Sequence, residues 1–214
     1  KIGQQGISNT LNSVEEFDPE TGIWIYKASM PTARFGGASV VLNDKIYIIG
    51  GSVLNSVDYL TTVEVYDPTT DSWETKASLP IGRTSAMAES IDGKIYLVGG
   101  QGDPGVSFDS MYVYDPVLDS WSQGMSMPGT RISGGIATIG SSIYVYGGHE
   151  RDASGARYSA ETYEYIPVQD QWFSRASMQF ARSQSGSVEV NGALYGIGGG
   201  TWDRVAYFHD DVEA

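Results

Sequence analysis

"KIYIIGG", residues 45–51, carries an apolar run with a tyrosine at its centre straight into two adjacent glycines. Glycine packs nothing and loses more backbone freedom on folding than any other residue, so a strand that ends on two of them needs a physical reason. The chain repeats the arrangement at "KIYLVGG" (94–100), "SIYVYGG" (142–148) and "ALYGIGG" (193–199). Four such endings, at Gly50-Gly51, Gly99-Gly100, Gly147-Gly148 and Gly198-Gly199, point to an internal repeat.

Other residues keep the same step. Trp24, Trp73, Trp121 and Trp172 are separated by 49, 48 and 51 residues, and so are Arg34, Arg83, Arg131 and Arg182. An aromatic stands seven residues before each of these tryptophans: Phe17, Tyr66, Tyr114 and Tyr165. Tyr47, Tyr96, Tyr144 and Tyr195 each precede a doublet by three. Each unit reads as four strands. "GGASVVLNDKIYIIGG" (36–51) is two apolar runs joined at Asn43-Asp44, and the other copies join theirs at Asp92-Gly93, Gly140-Ser141 and Asn191-Gly192. Such pairs suit tight hairpins, whose central residues take positive φ. The third strand, in "TVEVYDP" (62–68), stops at Asp67-Pro68, a turn signal. The fourth carries the tryptophan in "DSWETKASLP" (71–80). No segment has helical period. One sheet of four short strands cannot bury both faces alone, but copies packed around an axis can. The fold class expected is therefore all-β, a propeller of four-stranded antiparallel blades.

Composition narrows the function classes. Twenty-six acidic against 13 basic residues leave a net charge of −13. That balance argues against nucleic acid or an anionic membrane surface as a partner. No run of apolar residues is long enough to span a bilayer. With no cysteine there is no disulfide framework, thiol nucleophile or thiolate zinc site. His149 and His209 lie near acids but show no ligand spacing, so no metal and no cofactor are expected. The glycine doublets open no helix, which speaks against a phosphate-binding loop.

Glycine doublet, Tyr-Asp-Pro, tryptophan, Met-Pro and arginine at these spacings resemble the kelch repeat, over essentially the whole chain. Departures are local: Phe17 for tyrosine, Ile166 for the aspartate before Pro167, and Gln179 for the proline after Met178. The resemblance implies a single kelch β-propeller domain over 1–214. Its parts are a half blade (1–30), three blades (31–80, 81–128, 129–180) and a partial blade (181–214), about four blades' worth. By the same resemblance the doublets close the second strand where backbones crowd near the axis. The motif tyrosines (Tyr66, Tyr114, Tyr165) and tryptophans (Trp24, Trp73, Trp121, Trp172) would pack between blades.

Residues 1–30 offer only a third and fourth strand, and 182–199 a first and second, which together could close a ring. Yet "VEA" (212–214) repeats the start of "VEEF" (14–17), so that third strand is encoded twice. Together with a first residue that is lysine, this favours an excerpt of a larger ring, with self-association through open blade edges as a corollary. A closed four-blade ring with a displaced tail is the alternative.

The function expected from the resemblance is a non-catalytic binding module. It would recognise a protein segment or acidic ligand through the loops between strands and an arginine-lined channel mouth. Candidate ligand residues are the column arginines Arg34, Arg83, Arg131 and Arg182, which in some kelch proteins grip acidic peptides. The competing role for these arginines is bonding to backbone carbonyls within the blades. The loops between second and third strands vary most, and they add Arg151, Arg157, Tyr158 and Trp202, the last suited to a peptide or a sugar ring. The known kelch copper oxidase chemistry needs a cysteine that is absent here, and a sialic-acid mutarotase, with a glycan as ligand, is the enzymatic alternative. A blade array with no ligand of its own is the third reading. Sequence says nothing of the compartment.

Overall fold

A computed structural model describes residues 10–213 apart from 55, 57, 104, 153, 154, 203–205 and 209–211. Nearly all of the regular structure is antiparallel β-sheet, as the two-residue alternation requires. Three complete four-stranded sheets follow one another. The first is built of Ala38–Leu42, Lys45–Ile49, Val63–Asp67 and Ser72–Lys76. The second contains Met87–Ile91, Lys94–Val98, Met111–Asp115 and Ser120–Gln123. The third contains Gly135–Ile139, Ser142–Tyr146, Thr162–Ile166 and Gln171–Arg175. Each is a meander in which sequential strands are neighbours. On one flank stands the hairpin of Val14–Asp18 and Ile23–Lys27. On the other, Gly186–Val190 pairs with Ala193–Ile197, which pairs with Val212–Glu213. The third-strand place beside Ala193–Ile197 is thus taken by the second of the two copies of that strand; the hairpin at 14–27 forms a separate sheet.

The first strands of successive sheets lie against one another: Ala38–Leu42 against Met87–Ile91, that strand against Gly135–Ile139, and that in turn against Gly186–Val190. These inner strands make the hub. Apolar residues fill the wedges between sheets. Val40, Ile49 and Val63 of the first sheet share a core with Ile95, Leu97 and Tyr114 of the second. Met87, Val98 and Met111 of the second share another with Ile143, Val145 and Tyr165 of the third. The turns between first and second strands have the predicted backbone, with positive φ at Asn43, Asp44, Asp92, Gly93, Gly140, Asn191 and Gly192.

The doublets answer the opening puzzle. Gly50 and Gly51 have φ of +65° and +102°, and a Cβ on Gly50 would stand 2.4 Å from the carbonyl oxygen of Arg83 in the next sheet. That carbonyl instead accepts a hydrogen bond from Gly51 N at 2.8 Å, and Gly100 and Gly148 bind Arg131 O and Arg182 O in the same way at 2.7 Å. The glycines let one sheet's backbone touch the next.

Spacing by seven places each motif aromatic directly across the ladder from its tryptophan, as in Tyr66↔Trp73, Tyr114↔Trp121 and Tyr165↔Trp172. Ring centroids in these pairs stand 5.0–5.1 Å apart, a tilted arrangement that favours aromatic attraction. The indole N–H then reaches the preceding sheet: Trp73 donates to Ala28 O, Trp121 to Ala77 O and Trp172 to Met125 O, each at 2.8 Å. An aspartate completes a clasp on the same residue. Asp71 accepts from Ala28 N, Asp119 from Ala77 N and Asp170 from Met125 N, while Tyr66, Tyr114 and Tyr165 donate their hydroxyls to these carboxylates at 2.6–2.7 Å. In the 14–27 hairpin the corresponding positions are Phe17 and Gly22, without hydroxyl or carboxylate, and Trp24 is 62% exposed.

Candidate functional site

The column arginines sit just before each first strand, and they point inward. Arg34, Arg83, Arg131 and Arg182 are 8%, 1%, 2% and 0% exposed. Arg34 Nη1 donates to Gly50 O at 2.7 Å and to Thr62 O at 3.0 Å. Arg83 Nη1 and Arg182 Nη1 reach Gly99 O and Gly198 O, both at 2.9 Å. Their guanidinium groups are therefore used inside the blades, satisfying the carbonyls that the doublets leave turned away from the ladder. Arg34, Arg83 and Arg182 thus each bond a carbonyl of their own sheet, the packing role weighed against ligand gripping, while Arg131 lines a cleft described below.

What stands opposite each guanidinium differs. Arg34 forms a buried ion pair with Glu64 at 2.6 Å, and Glu64 also accepts from Thr32 Oγ1 at 2.7 Å. Arg83 lies over the rings of Phe108 and Tyr112, with centroids at 4.6 and 4.8 Å. Burial draws Arg83 down to about 10, still cationic at neutral pH. Arg131 breaks the pattern. It donates to Thr130 O at 2.7 Å and to the carboxylate of Glu161, and its Nε–H is buried with no hydrogen-bond partner. The cause is local sequence: Glu161 occupies the column held by Thr62 and Ser110 in the preceding sheets, each bonded through its carbonyl to the leading doublet glycine.

Two residues past each column arginine lie Gly36, Ser85, Ser133 and Gln184, all with φ between +53° and +64°. Their backbones form a relay around the hub. Ser85 N donates to Gly36 O at 2.7 Å, Ser133 N to Ser85 O at 3.0 Å and Gln184 N to Ser133 O at 2.9 Å. Sequence reading missed this set because the column contains glycine, serine and glutamine, with no shared side-chain chemistry. It also missed the clasp aspartates, whose constant distance of five residues from the motif tyrosines was the available signal.

The variable loops share the face at the ends of the second strands. Three of them fold into hairpins: Gln101–Gly102 with Val106–Ser107, His149–Asp152 with Gly155–Tyr158, and Gly200–Trp202 with Ala206–Phe208. The first two are fastened together, since Ser107 Oγ accepts from Arg151 N at 2.9 Å and donates to Arg151 O at 3.2 Å. Arg151 thereby acts through its backbone. Arg157 extends into solvent and pairs with Glu150. The ring of Tyr158 stands 5.5 Å from that of His149. His149 Nδ1 meets Ser183 Oγ at 2.9 Å, and Ser183 in turn donates to Ser133 O at 3.2 Å. The two contacts fix the Ser183 hydroxyl between the imidazole and the Ser133 carbonyl. Burial, then Arg151, pulls the His149 pKa below its ordinary value, which keeps the ring neutral. The Trp202 side chain lies outside the described residues.

A cleft of about 220 Å³ opens on this face, lined by Arg131, Glu150, Arg157, Tyr158, Ser159 and Glu161 among others. Burial pushes the Glu161 carboxyl up, but the adjacent Arg131 charge and its hydrogen bond outweigh this and hold it below the ordinary glutamate value. A larger groove, about 670 Å³, separates the third sheet from the 186–213 sheet. It includes Ala176, the residue in column with Ala28, Ala77 and Met125, and so lies where the repeat elsewhere seats a tryptophan.

The geometry agrees with what the chain resembles. The model of the Attractin/LZTR1 beta-propeller family matches residues 3–211. Kelch-like protein 36 of Rattus norvegicus is 36% identical over 50 residues, which is 23% of this chain and 8% of that protein. Kelch-like protein 36 of Mus musculus matches to the same extent. The matched stretch therefore spans less than a tenth of these relatives. Among solved structures, the one titled "Structure of YjhT" superposes with a TM-score of 0.77 at 17% identity, over 91% of this chain and 68% of that one, a likeness of fold. With its repeat columns spent on sheet-to-sheet contacts and the family matched from end to end, the chain belongs to the Attractin/LZTR1 β-propeller family of kelch-repeat propellers.

Proposed function

We propose that the chain is a non-catalytic interaction module that holds a protein segment against its loop face. Kelch-type propellers generally serve protein interaction, and the observation that carries the reading here is the division of labour among residues. Positions shared by the repeats are consumed by packing, the clasps and the hub relay. Positions that vary are gathered on one face as hairpins, two of them tied together through Ser107 and Arg151. A rigid scaffold presenting variable loops is how such folds acquire a partner without altering the core.

The test is selection of binding peptides from a random library displayed on phage, followed by competition. Binding by the enriched peptides is expected to fall when Tyr158 is replaced by serine. It should be unaffected by Glu74→Lys on an outer strand. Failure to enrich any peptide, or loss of binding only with the outer-strand variant, would overturn the proposal.

A further inference from the structure

We propose that the cleft beside Glu150 and Glu161 receives an arginine side chain of a partner peptide, and that Arg157 occupies this place until the partner displaces it. This rests on the loop face being the interaction surface. Size comes first. At about 220 Å³ the cleft is below the roughly 300–1,000 Å³ of small-molecule sites, and suits a single long side chain of a larger ligand.

Its chemistry selects a cation. Glu161 is backed by the buried Arg131 and stays ionised, with its side chain 52% exposed. Glu150 is 27% exposed and is steadied by Thr130 Oγ1 at 3.1 Å. Arg157 demonstrates the fit, because its guanidinium already lies on Glu150. Its own side chain is 79% exposed, and a pair so open to water contributes little, so a partner's guanidinium can replace it. The planar fork of arginine fits a carboxylate better than the point charge of lysine. A net charge of −13 draws cationic segments toward the protein.

The cleft is particular to the third sheet, where Arg131 lines it and turns to Glu161. The first and second sheets lack this arrangement, since Arg34 and Arg83 are turned to the doublet carbonyls and the Glu161 column there holds Thr62 and Ser110.

Titrations of the ¹⁵N-labelled chain with N-acetyl-arginine amide and N-acetyl-glutamate amide, followed by amide chemical shifts, test this. The arginine compound is expected to shift the amides of Glu150, Ser159, Ala160 and Glu161, and the glutamate compound to leave them in place. Glu150→Gln should weaken the arginine compound about tenfold or more, the loss expected when a charged partner is truncated. Arg157→Ala, on an exposed side chain that folding does not need, should tighten it about two- to fivefold, the worth of the internal pair it removes. Preference for the glutamate compound, or weaker binding in Arg157→Ala, would overturn the proposal and make Arg157 itself a contact for anions. Silence with both compounds would also overturn it, while leaving the broader reading to the peptide selection, which does not depend on ligand charge.

Discussion

At the scale of single residues, one arginine column is solved in three ways. Arg34 is neutralised by Glu64, Arg83 is covered by aromatic rings, and Arg131 is captured by Glu161 at the surface. The Arg34–Glu64 pair has both side chains only 2% exposed, so neither charge can turn to water if the other is lost. Glu64→Ala is expected to destabilise the protein by about 3–5 kcal/mol, the cost of a buried charge left alone, measured by urea unfolding. Glu74→Ala, whose partner Lys76 lies on an exposed outer strand, should change stability within about 0.5 kcal/mol and serves as the comparison. The existence of the arginine column was legible in sequence. Which partner each arginine takes was not, because the deciding residues (Glu64, Tyr112, Glu161) lie about 30 positions downstream and become neighbours only when the third strand folds back.

At the scale of elements, the sheets are joined edge to edge by the tryptophan–aspartate clasp. Asp119 serves two donors at once, the Tyr114 hydroxyl and Ala77 N. Asp119→Ala would leave both without their acceptor, at a cost of about 1 kcal/mol, the low end for unmade hydrogen bonds because the carboxylate faces solvent. The clasp also sets an acid limit. Hydrogen bonds from the tyrosine hydroxyls, then from Ala28 N and Ala77 N, hold the Asp71 and Asp119 carboxyls below the ordinary aspartate value. A group whose pKa is depressed on folding adds stability above its unfolded value and forfeits it as pH drops through the folded one. Stability should therefore be steady above about pH 4 and decline below it, and Asp119→Asn should flatten that decline in melts taken between about pH 2 and pH 5. On the alkaline side, burial and then Asp71 push Tyr66 up to about 12. The strand order and turns were readable from alternation and from pairs such as Asp92-Gly93. The clasp was half readable, through its tryptophans, and its aspartates escaped because turn aspartates are common for other reasons.

For the whole molecule, the main contacts among the described residues run between successive sheets, so stability is distributed as in other repeat proteins. The second and third sheets are covered on both faces, and Ile95, Leu97, Val98, Ile143 and Val145 are fully buried. The 14–27 hairpin has Ile23, Trp24, Ile25 and Tyr26 exposed and lacks the clasp pair at Phe17 and Gly22. Amide hydrogen exchange should accordingly be slowest in Ile95–Val98 and Ile143–Tyr146 and fastest in Ile23–Lys27. Uniform protection across all sheets would contradict this. The propeller was legible from five columns of residues, whereas the cleft beside Glu150 and Glu161 was not, since it is assembled where the repeat departs from itself. The clasp has a final implication. Its giving side is coded by a tyrosine, an aspartate and a tryptophan, whereas its receiving side is only the main-chain N–H and C=O of Ala28, Ala77 and Met125, which any residue but proline can offer. Recognition through the clasp is therefore one-sided, so at this joint a duplicated or shuffled unit asks no particular side chain of the neighbour that accepts it.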